Sequence, residues 1–142
     1  GGLVSMAGDY LRFGQMLLNE GELDDVRILK PETVKLMVRN HLTNDQGPLM
    51  SYAKGRGTPD DPWTASNGYG WGLSIGVRLD GETHTVPGGK GEFRWDGLAN
   101  TTYFIDPENE IVAIAMSQYL GPNQDELDLT LRRHLYGAVI DR

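Results

Sequence analysis

The sequence predicts an α+β fold built on an antiparallel sheet. Three observations carry that prediction. Apolar residues recur at helical spacing near both ends of the chain, they alternate with a period of two through its middle, and tight turn signals separate the strand-like runs. A first helix is expected with Ser5 as its N-cap and Asp9 in its opening turns, where a carboxylate complements the helix dipole. Met6, Tyr10, Phe13 and Leu17 define its apolar face, and Gly21 is its natural stop. Glu22 to Leu29 reads as a short connection with a turn at Asp24-Asp25. Pro31 suits the first position of a second helix, whose apolar stripe is Val34, Met37 and Val38 and which ends near Asn40-His41. Residues 43–68 then hold Gly47, Pro48, Gly55, Gly57, Pro59 and Pro62 without periodicity; such an irregular stretch reads either as a surface loop or as a loop bordering a binding cleft.

Beyond it the pattern changes. Trp71, Leu73, Ile75, Val77 and Leu79 alternate with Gly72, Ser74, Gly76 and Arg78, which predicts one strand with a large apolar face and a nearly bare face that another element can approach closely. Asp80-Gly81 is a turn signal, and Thr83 to Val86 a candidate return strand. Glu92 to Trp95 and Thr101 to Ile105 read as two further strands, with Asp96-Gly97 between them as a hairpin signal. Asp106-Pro107-Glu108-Asn109 is a turn with proline in its favoured second position. Ile111 to Met116 is apolar throughout, as expected of a central strand covered on both faces. A last helix is expected from Asn123, with Glu126 completing a capping box and Leu127, Leu131, Leu135 and Ala138 as the buried stripe.

Composition narrows the function classes. The chain has 142 residues, 13 Lys and Arg against 20 Asp and Glu, and a net charge of -7, so it lacks the basic surplus of a general nucleic-acid binder. The 39% hydrophobic content supports a packed core, but no apolar run approaches a membrane span, and no basic start leads into an apolar stretch as in a signal peptide. With no cysteine, disulfides, thiolate zinc sites, iron–sulfur clusters and cysteine nucleophiles are excluded. His41, His84 and His134 are scattered away from ligand spacing, so neither a metal nor another cofactor is expected.

Four motifs could carry chemistry. Gly72-Leu73-Ser74-Ile75-Gly76 matches the G-x-S-x-G pattern, but that motif needs a strained strand-to-helix turn to expose its serine, and here the serine is expected mid-strand. Ser51-Tyr52-Ala53-Lys54 matches S-x-x-K, which works when a helical turn sets the lysine amine beside the serine; its Gly/Pro-rich surroundings argue against that. Pro87-Gly88-Gly89-Lys90-Gly91 lacks the Ser or Thr and the following helix of a phosphate loop, and reads as a tight turn. Trp95-Asp96-Gly97 is either a plain hairpin turn or part of a site.

The chain as a whole resembles the class C β-lactamase-like serine hydrolases, a superfamily with penicillin-binding proteins, D-aminopeptidases and family VIII carboxylesterases. The likeness runs through Gly1 to Ser5, Asp9-Tyr10, Phe13, Met16 to Asn19, Leu29, Pro31 to Val34 and Met37, then Gly68 to Leu73, Gly91 to Phe93, Trp95, Gly97, Thr101 to Phe104 and Asp106-Pro107. It implies a C-terminal fragment of the serine β-lactamase/penicillin-binding-protein-like fold: 1–42 a segment of the helical lobe, 43–68 the irregular loop beside the cleft, and 69–142 the antiparallel strands and C-terminal helix of the α/β lobe. In that superfamily the S-x-x-K nucleophile and the Tyr-x-Asn motif precede the segment resembling Gly1 to Asn19, so both are expected in a missing upstream segment, and Ser51-x-x-Lys54 is out of order. Trp95-Asp96-Gly97 corresponds to the third motif, Lys/His-Thr/Ser-Gly; family VIII carboxylesterases resemble this chain in having Trp-x-Gly there. A lysine at that place offers a cation to the carboxylate of a β-lactam, whereas Trp95 offers an apolar wall and one N–H donor. Asp96 departs from the usual Thr, Ser or Gly and either repels anionic substrates or faces solvent. The resemblance makes Trp95, Asp96 and Gly97 substrate-binding and gives the backbone N–H of Leu98 to the oxyanion hole.

The implied function is therefore the C-terminal portion of a serine carboxylesterase working through an acyl-enzyme. Its partners would be a small-molecule ester or β-lactam substrate and the N-terminal part of the same enzyme. A β-lactamase or D-amino-acid peptidase, or a non-catalytic binding module on the same fold, are the alternatives. The compartment stays open between the bacterial cytoplasm and periplasm. The 142-residue chain by itself is expected to show no p-nitrophenyl ester turnover; turnover by the purified chain that Ser51→Ala abolishes would contradict this.

Overall fold

A computed structural model describes residues 4–42, 69–79, 86–121 and 125–139. In chain order these form α1 (Ala7–Leu18), β1 (Glu22–Leu23), β2 (Val26–Arg27), α2 (Pro31–Met37), β3 (Tyr69–Trp71), β4 (Gly76–Arg78), β5 (Phe93–Asp96), β6 (Thr102–Asp106), β7 (Ile111–Ala115) and α3 (Asp125–Ala138). Strands β3 to β7 make one five-stranded sheet in sequence order, each neighbouring pair antiparallel, as the turn signals predict. The expected irregular stretch 43–68, the Asp80-Gly81 turn and the helix start at Asn123 lie outside the described residues.

The start of α1 differs from expectation. Met6, not Ser5, is its N-cap, and no side chain caps it; the Ser5 hydroxyl only reaches the Met6 carbonyl at 3.4 Å. Its buried residues are Gly14, Met16 and Leu17, while Met6 and Phe13 of the expected stripe are exposed. The reason is Gly14: a Cβ there would lie 2.6 Å from Val112 Cγ1, so the bare backbone at this point lets the helix seat directly on β7. The helix ends as the glycine signal predicts, one residue early. Glu20 takes the left-handed conformation (φ 53°) and its N–H bonds to the Leu17 carbonyl, while the Gly21 N–H reaches Met16 at 2.8 Å. That pair of bonds is a Schellman closure. Asp24 and Asp25, both left-handed, turn β1 into β2.

The run 71–79 is not one strand. It is a hairpin, β3 and β4, with Gly72 to Ile75 as the turn and Ser74 left-handed at φ 64°. The alternation was real but local, because two short strands flank a turn that happens to keep the period. The bare positions do allow close approach: a Cβ on Gly72 would sit 2.2 Å from the Met37 carbonyl at the end of α2. Asn40 completes that junction, its Oδ1 accepting from the N–H groups of Leu42 and Trp71. Strand β7 is also not central. It stands at the end of the described sheet, in contact with both α1 and α3, and only Ala113 of it is buried, the other four residues being half-buried. The candidate strand at Thr83 to Val86 is described only at Val86, a buried bend outside the sheet, and β4 pairs directly with β5.

The two faces of the sheet bury different chemistry. Toward α1 and α2, the core is Met16, Leu17, Val34, Ile75, Val77, Phe93 and Ile105. Toward α3 it is ionic. The expected leucine stripe of α3 is only half-buried and Ala138 is exposed; the buried residues are Asp128 and Arg132. Arg132 is fully buried and donates through both Nη atoms to Glu92, at 2.7 and 2.9 Å, and through Nε to Asp128 at 2.9 Å. Its remaining Nη1 capacity meets the Pro87 carbonyl, and its guanidinium lies 4.0 Å above the Phe104 ring. Arg94 pairs with Asp128 at 3.0 Å, and Thr102 donates to the other Asp128 oxygen. Burial opposes charge on Arg132, but Glu92 and Asp128 outweigh it and hold its pKa above the usual arginine value. Burial, followed by the Glu92 charge, pushes the Tyr69 phenol up, so it stays protonated and donates to Glu92. Nearby, Tyr136 of α3 donates to Asp106, which also receives Gly89 and Asn109.

A buried charge left without its partner is far costlier than a broken surface pair. Arg132→Met is therefore expected to lower the unfolding free energy by about 3–5 kcal/mol. Lys35→Ala, which breaks the exposed pair with Glu20, is expected to cost at most ~1 kcal/mol. Urea unfolding of the two variants measures both; equal effects would contradict this account of the α3 side.

Candidate active site

Strand β5 carries the site to one end of the sheet. Its alternation places Glu92 and Arg94 toward α3 and Phe93 and Trp95 toward the apolar side. Trp95 is opposite Tyr103 of β6 and meets the Trp71 ring edge-on, with centroids 4.6 Å apart. Tyr103 in turn meets Tyr10 of α1 edge-on at 5.0 Å, and Tyr10 meets Phe13 at 5.6 Å. Burial, together with the hydrogen bond to Tyr10, pushes the Tyr103 phenol up, so its hydroxyl stays neutral. Aromatic residues therefore run from the end of the sheet onto the first helix, with the Trp71–Trp95 pair at one end (Trp95 37% exposed) and Phe13, 41% exposed, at the other.

Asp96 closes β5. It is in register with Thr102, whose hydroxyl bonds Asp128, so Asp96 stands on the α3 side of the sheet and not beside Trp95. Gly97 opens the turn. Its N–H donates to the Thr101 carbonyl at 2.7 Å, and its own carbonyl accepts the Asn100 N–H at 2.8 Å. Asn100, not Gly97, takes the left-handed conformation (φ 68°). The hairpin signal thus marks the right place but the wrong residues: Asp96 still belongs to the strand and the turn follows it. Leu98 stands at the turn's tip, 77% exposed. The segment after β7 folds over this turn, with the Tyr119 N–H on the Ala99 carbonyl and the Ser117 hydroxyl on those of Ala99 and Asn100.

The other candidates are dispersed. Ser74 lies in a strand–turn–strand hairpin, not a strand-to-helix elbow. Lys90 is in a tight turn leading into β5, its N–H on Glu108, so the glycine-rich run makes a turn as expected. Ser51, Lys54 and His84 lie outside the described residues. His41 bonds the Leu36 carbonyl and His134 is exposed on α3. Among the described residues no cluster of His, Asp and Glu is placed to hold a metal, and no helix is long and apolar enough to cross a membrane. The sequence reading missed Trp71 as the partner of Trp95, and it missed Ser117 and Tyr119 entirely. Nothing local marks those two, because their role depends on a contact with a turn far back in the chain.

Gly97 differs from the other glycines at junctions. A Cβ there would meet only Thr101, at 3.7 and 3.8 Å, which is ordinary van der Waals contact. Neither packing nor backbone conformation among the described residues requires glycine at this place. Gly97→Ala is accordingly expected to leave stability unchanged or raise it by ~0.4–1 kcal/mol. Gly72→Ala, forced against the Met37 carbonyl, is expected to lower it by about 1–3 kcal/mol. Paired thermal or urea unfolding curves distinguish the two, and a loss at Gly97 matching that at Gly72 would contradict the contrast.

The Beta-lactamase family model matches residues 1–138. Two curated mycobacterial proteins, the uncharacterized protein MT1414 of Mycobacterium tuberculosis strain CDC 1551 / Oshkosh and the protein Rv1367c of strain H37Rv, are each 36% identical to it over 121 residues. That alignment takes in 84% of this chain and 28% of each relative, so the chain spans little more than a quarter of their length. Among solved structures, EstCE1, a hydrolase with promiscuous acyltransferase activity, superposes with a TM-score of 0.64 at 26% identity, over 92% of this chain and 29% of that one. The simvastatin synthase LovD of Aspergillus terreus superposes with a TM-score of 0.65 at 22% identity, over 92% of this chain and 34% of that one, a likeness of fold.

Proposed function

This chain belongs to the Beta-lactamase family, and we propose that it forms the C-terminal portion of a serine hydrolase that cleaves carboxylic esters through an acyl-enzyme. The observation that carries the reading is the aromatic end of β5. Where the superfamily's third motif sets a cation, this chain sets Trp95, braced edge-on by Trp71 and flanked by Tyr103. An indole wall favours the apolar part of an ester and supplies no counter-charge for the carboxylate of a β-lactam. The likeness to EstCE1, a hydrolase, points the same way.

In this reading the nucleophilic serine and its lysine and tyrosine stand in the longer polypeptide, upstream of Gly1. The first two helices belong to its helical lobe and the sheet with α3 to its α/β lobe. Serine attack on the ester carbonyl gives a tetrahedral oxyanion, which collapses with loss of the alcohol to an acyl-serine that water then hydrolyses. The Leu98 N–H is one oxyanion donor and the serine's own N–H the other, a pairing that supplies a few kcal/mol to the transition state. Gly97 stays free of a side chain because the substrate, not the fold, needs that space.

The full-length polypeptide is expected to hydrolyse short-acyl p-nitrophenyl esters with a kcat/KM well above that for a cephalosporin. Trp95→Lys is expected to move the ratio toward the cephalosporin by tenfold or more, since a charge-assisted hydrogen bond is worth about 1.5–3 kcal/mol. A wild-type preference for the cephalosporin would defeat the esterase reading in favour of a β-lactamase. No turnover of either substrate would favour a binding module.

A further inference from the structure

We infer that Trp71 is a positioning residue for substrate selection: it holds the Trp95 indole in one orientation, and so determines how well the site grips the larger apolar group of an ester. The inference rests on the esterase reading above, in which Trp95 is the apolar wall, and Trp71 acts on that wall from behind. An indole at the end of a strand turns about two side-chain torsions, each with more than one well. A wall that samples several of those wells presents no fixed surface to a substrate, whereas one held in a single well is preorganised.

The surroundings of Trp95 show what selects the well. On the β6 side Tyr103 is its cross-strand partner. On the β4 side the ladder stops at Gly76 and Arg94, one residue short of Trp95. There the ring that meets the indole comes from β3: Trp71 stands edge-on to Trp95, with centroids 4.6 Å apart and ring planes at 73°, a geometry that aromatic quadrupoles favour. Strands β3 and β5 are not neighbours in the sheet. The two rings meet across the end of β4, and the β4 residue in register with Trp71 is Gly76, buried and without a side chain to stand between them.

A brace must itself be fixed. Both backbone groups of Trp71 are held by the chain that leaves α2: its N–H donates to Asn40 Oδ1 at 3.0 Å, and its carbonyl accepts the His41 N–H at 2.7 Å. The glycines on either side let the strand lie this close. A Cβ on Gly70 would come within 2.5 Å of the Asn40 side chain, and one on Gly72 within 2.2 Å of the Met37 carbonyl. Gly70, Gly72 and Gly76 thus share one outcome, an indole anchored to the end of α2 that reaches Trp95.

The test uses the full-length polypeptide and two pairs of esters. One pair varies the acyl group, p-nitrophenyl acetate against p-nitrophenyl hexanoate; the other varies the alcohol, methyl butyrate against hexyl butyrate. Wild type, Trp71→Leu and Trp71→Phe are compared, each alone and combined with Trp95→Ala. Edge-on aromatic pairs bias an equilibrium by about two- to tenfold. Trp71→Leu keeps apolar bulk without a ring, and should lower the kcat/KM ratio of larger to smaller ester about three- to tenfold in at least one pair; the pair that responds identifies the group resting on the wall. Trp71→Phe keeps a ring and should recover most of that ratio. With Trp95→Ala in place, Trp71→Leu should change neither ratio by more than about twofold, because the wall it positions is gone. The ratios do not depend on the amount of active enzyme, so a merely structural loss lowers all four rates together and leaves them unchanged. Unchanged ratios in Trp71→Leu overturn the inference while leaving the esterase reading intact. So does a fall that Phe does not lessen, or one that persists with Trp95→Ala. Absence of turnover of all four esters in the wild type defeats the esterase reading, and this inference with it.

Discussion

The fully buried guanidinium of Arg132 is the point on which the α3 side of the molecule depends. It closes two carboxylates from different parts of the chain, Glu92 immediately before β5 and Asp128 one turn earlier on its own helix. Those carboxylates in turn hold Tyr69 of β3, Arg94 of β5 and Thr102 of β6. One cation thereby ties α3 to three strands. Burying such a group is expensive, and an apolar pair of similar volume would serve stability as well or better. What the ionic layer adds is geometry. A bidentate guanidinium–carboxylate pair has one good orientation, whereas leucines tolerate sliding. The layer sets Arg78, Arg94 and Arg132 against Glu92 and Asp128, while Asp106 accepts from the neutral Gly89, Asn109 and Tyr136.

The opposite face does the ordinary work of a core. Val77, Phe93 and Ile105 pack against Met16, Leu17 and Val34, and the close seating of α1 at Gly14 brings helix and sheet together. Strand β5 lies between the two chemistries, so its alternation carries both at once. Glu92 and Arg94 are locked on one side, Phe93 on the other, and the strand's free end delivers Trp95 and the turn after it. The precision of that end is thus inherited from a strand pinned on both faces, with the segment after β7 completing the fixation of the turn.

Much of this was legible in the sequence, and the failures have physical causes. Helix period, turn residues and the antiparallel order were readable because they depend on local chemistry, as at Pro31 or Asp106-Pro107. The misread strand at 71–79 shows the limit of periodicity, since a short turn can preserve alternation across a reversal of direction. The ionic face of α3 was misread for a different reason. Asp128 and Arg132 at i and i+4 look like a solvent-exposed helix pair, and only Glu92, from another element, makes them interior. A signal existed in the strand itself, where Glu92, Arg94 and Asp96 alternate with Phe93 and Trp95; a charged face on an internal strand requires a charged partner. The Asp-Gly turn signal marked Trp95-Asp96-Gly97 as either a hairpin turn or part of a site, but the roles given to Trp95, Gly97 and Leu98 came from the family likeness alone.

Glycine gives the sharpest separation between what the fold demands and what it does not. At Gly14 and Gly72 the demand is visible, because a Cβ would run into Val112 or the Met37 carbonyl. At Gly97 a Cβ would fit, the left-handed position of the turn is filled by Asn100, and alanine would restrict the unfolded chain more than glycine does. Stability alone therefore favours alanine over glycine at this site. Under the esterase reading proposed above, a glycine here leaves the space beside the Gly97–Leu98 peptide to the substrate. The same peptide is the one whose carbonyl the turn has fastened. Fastened there, the peptide keeps one orientation, which is what the esterase reading asks of it.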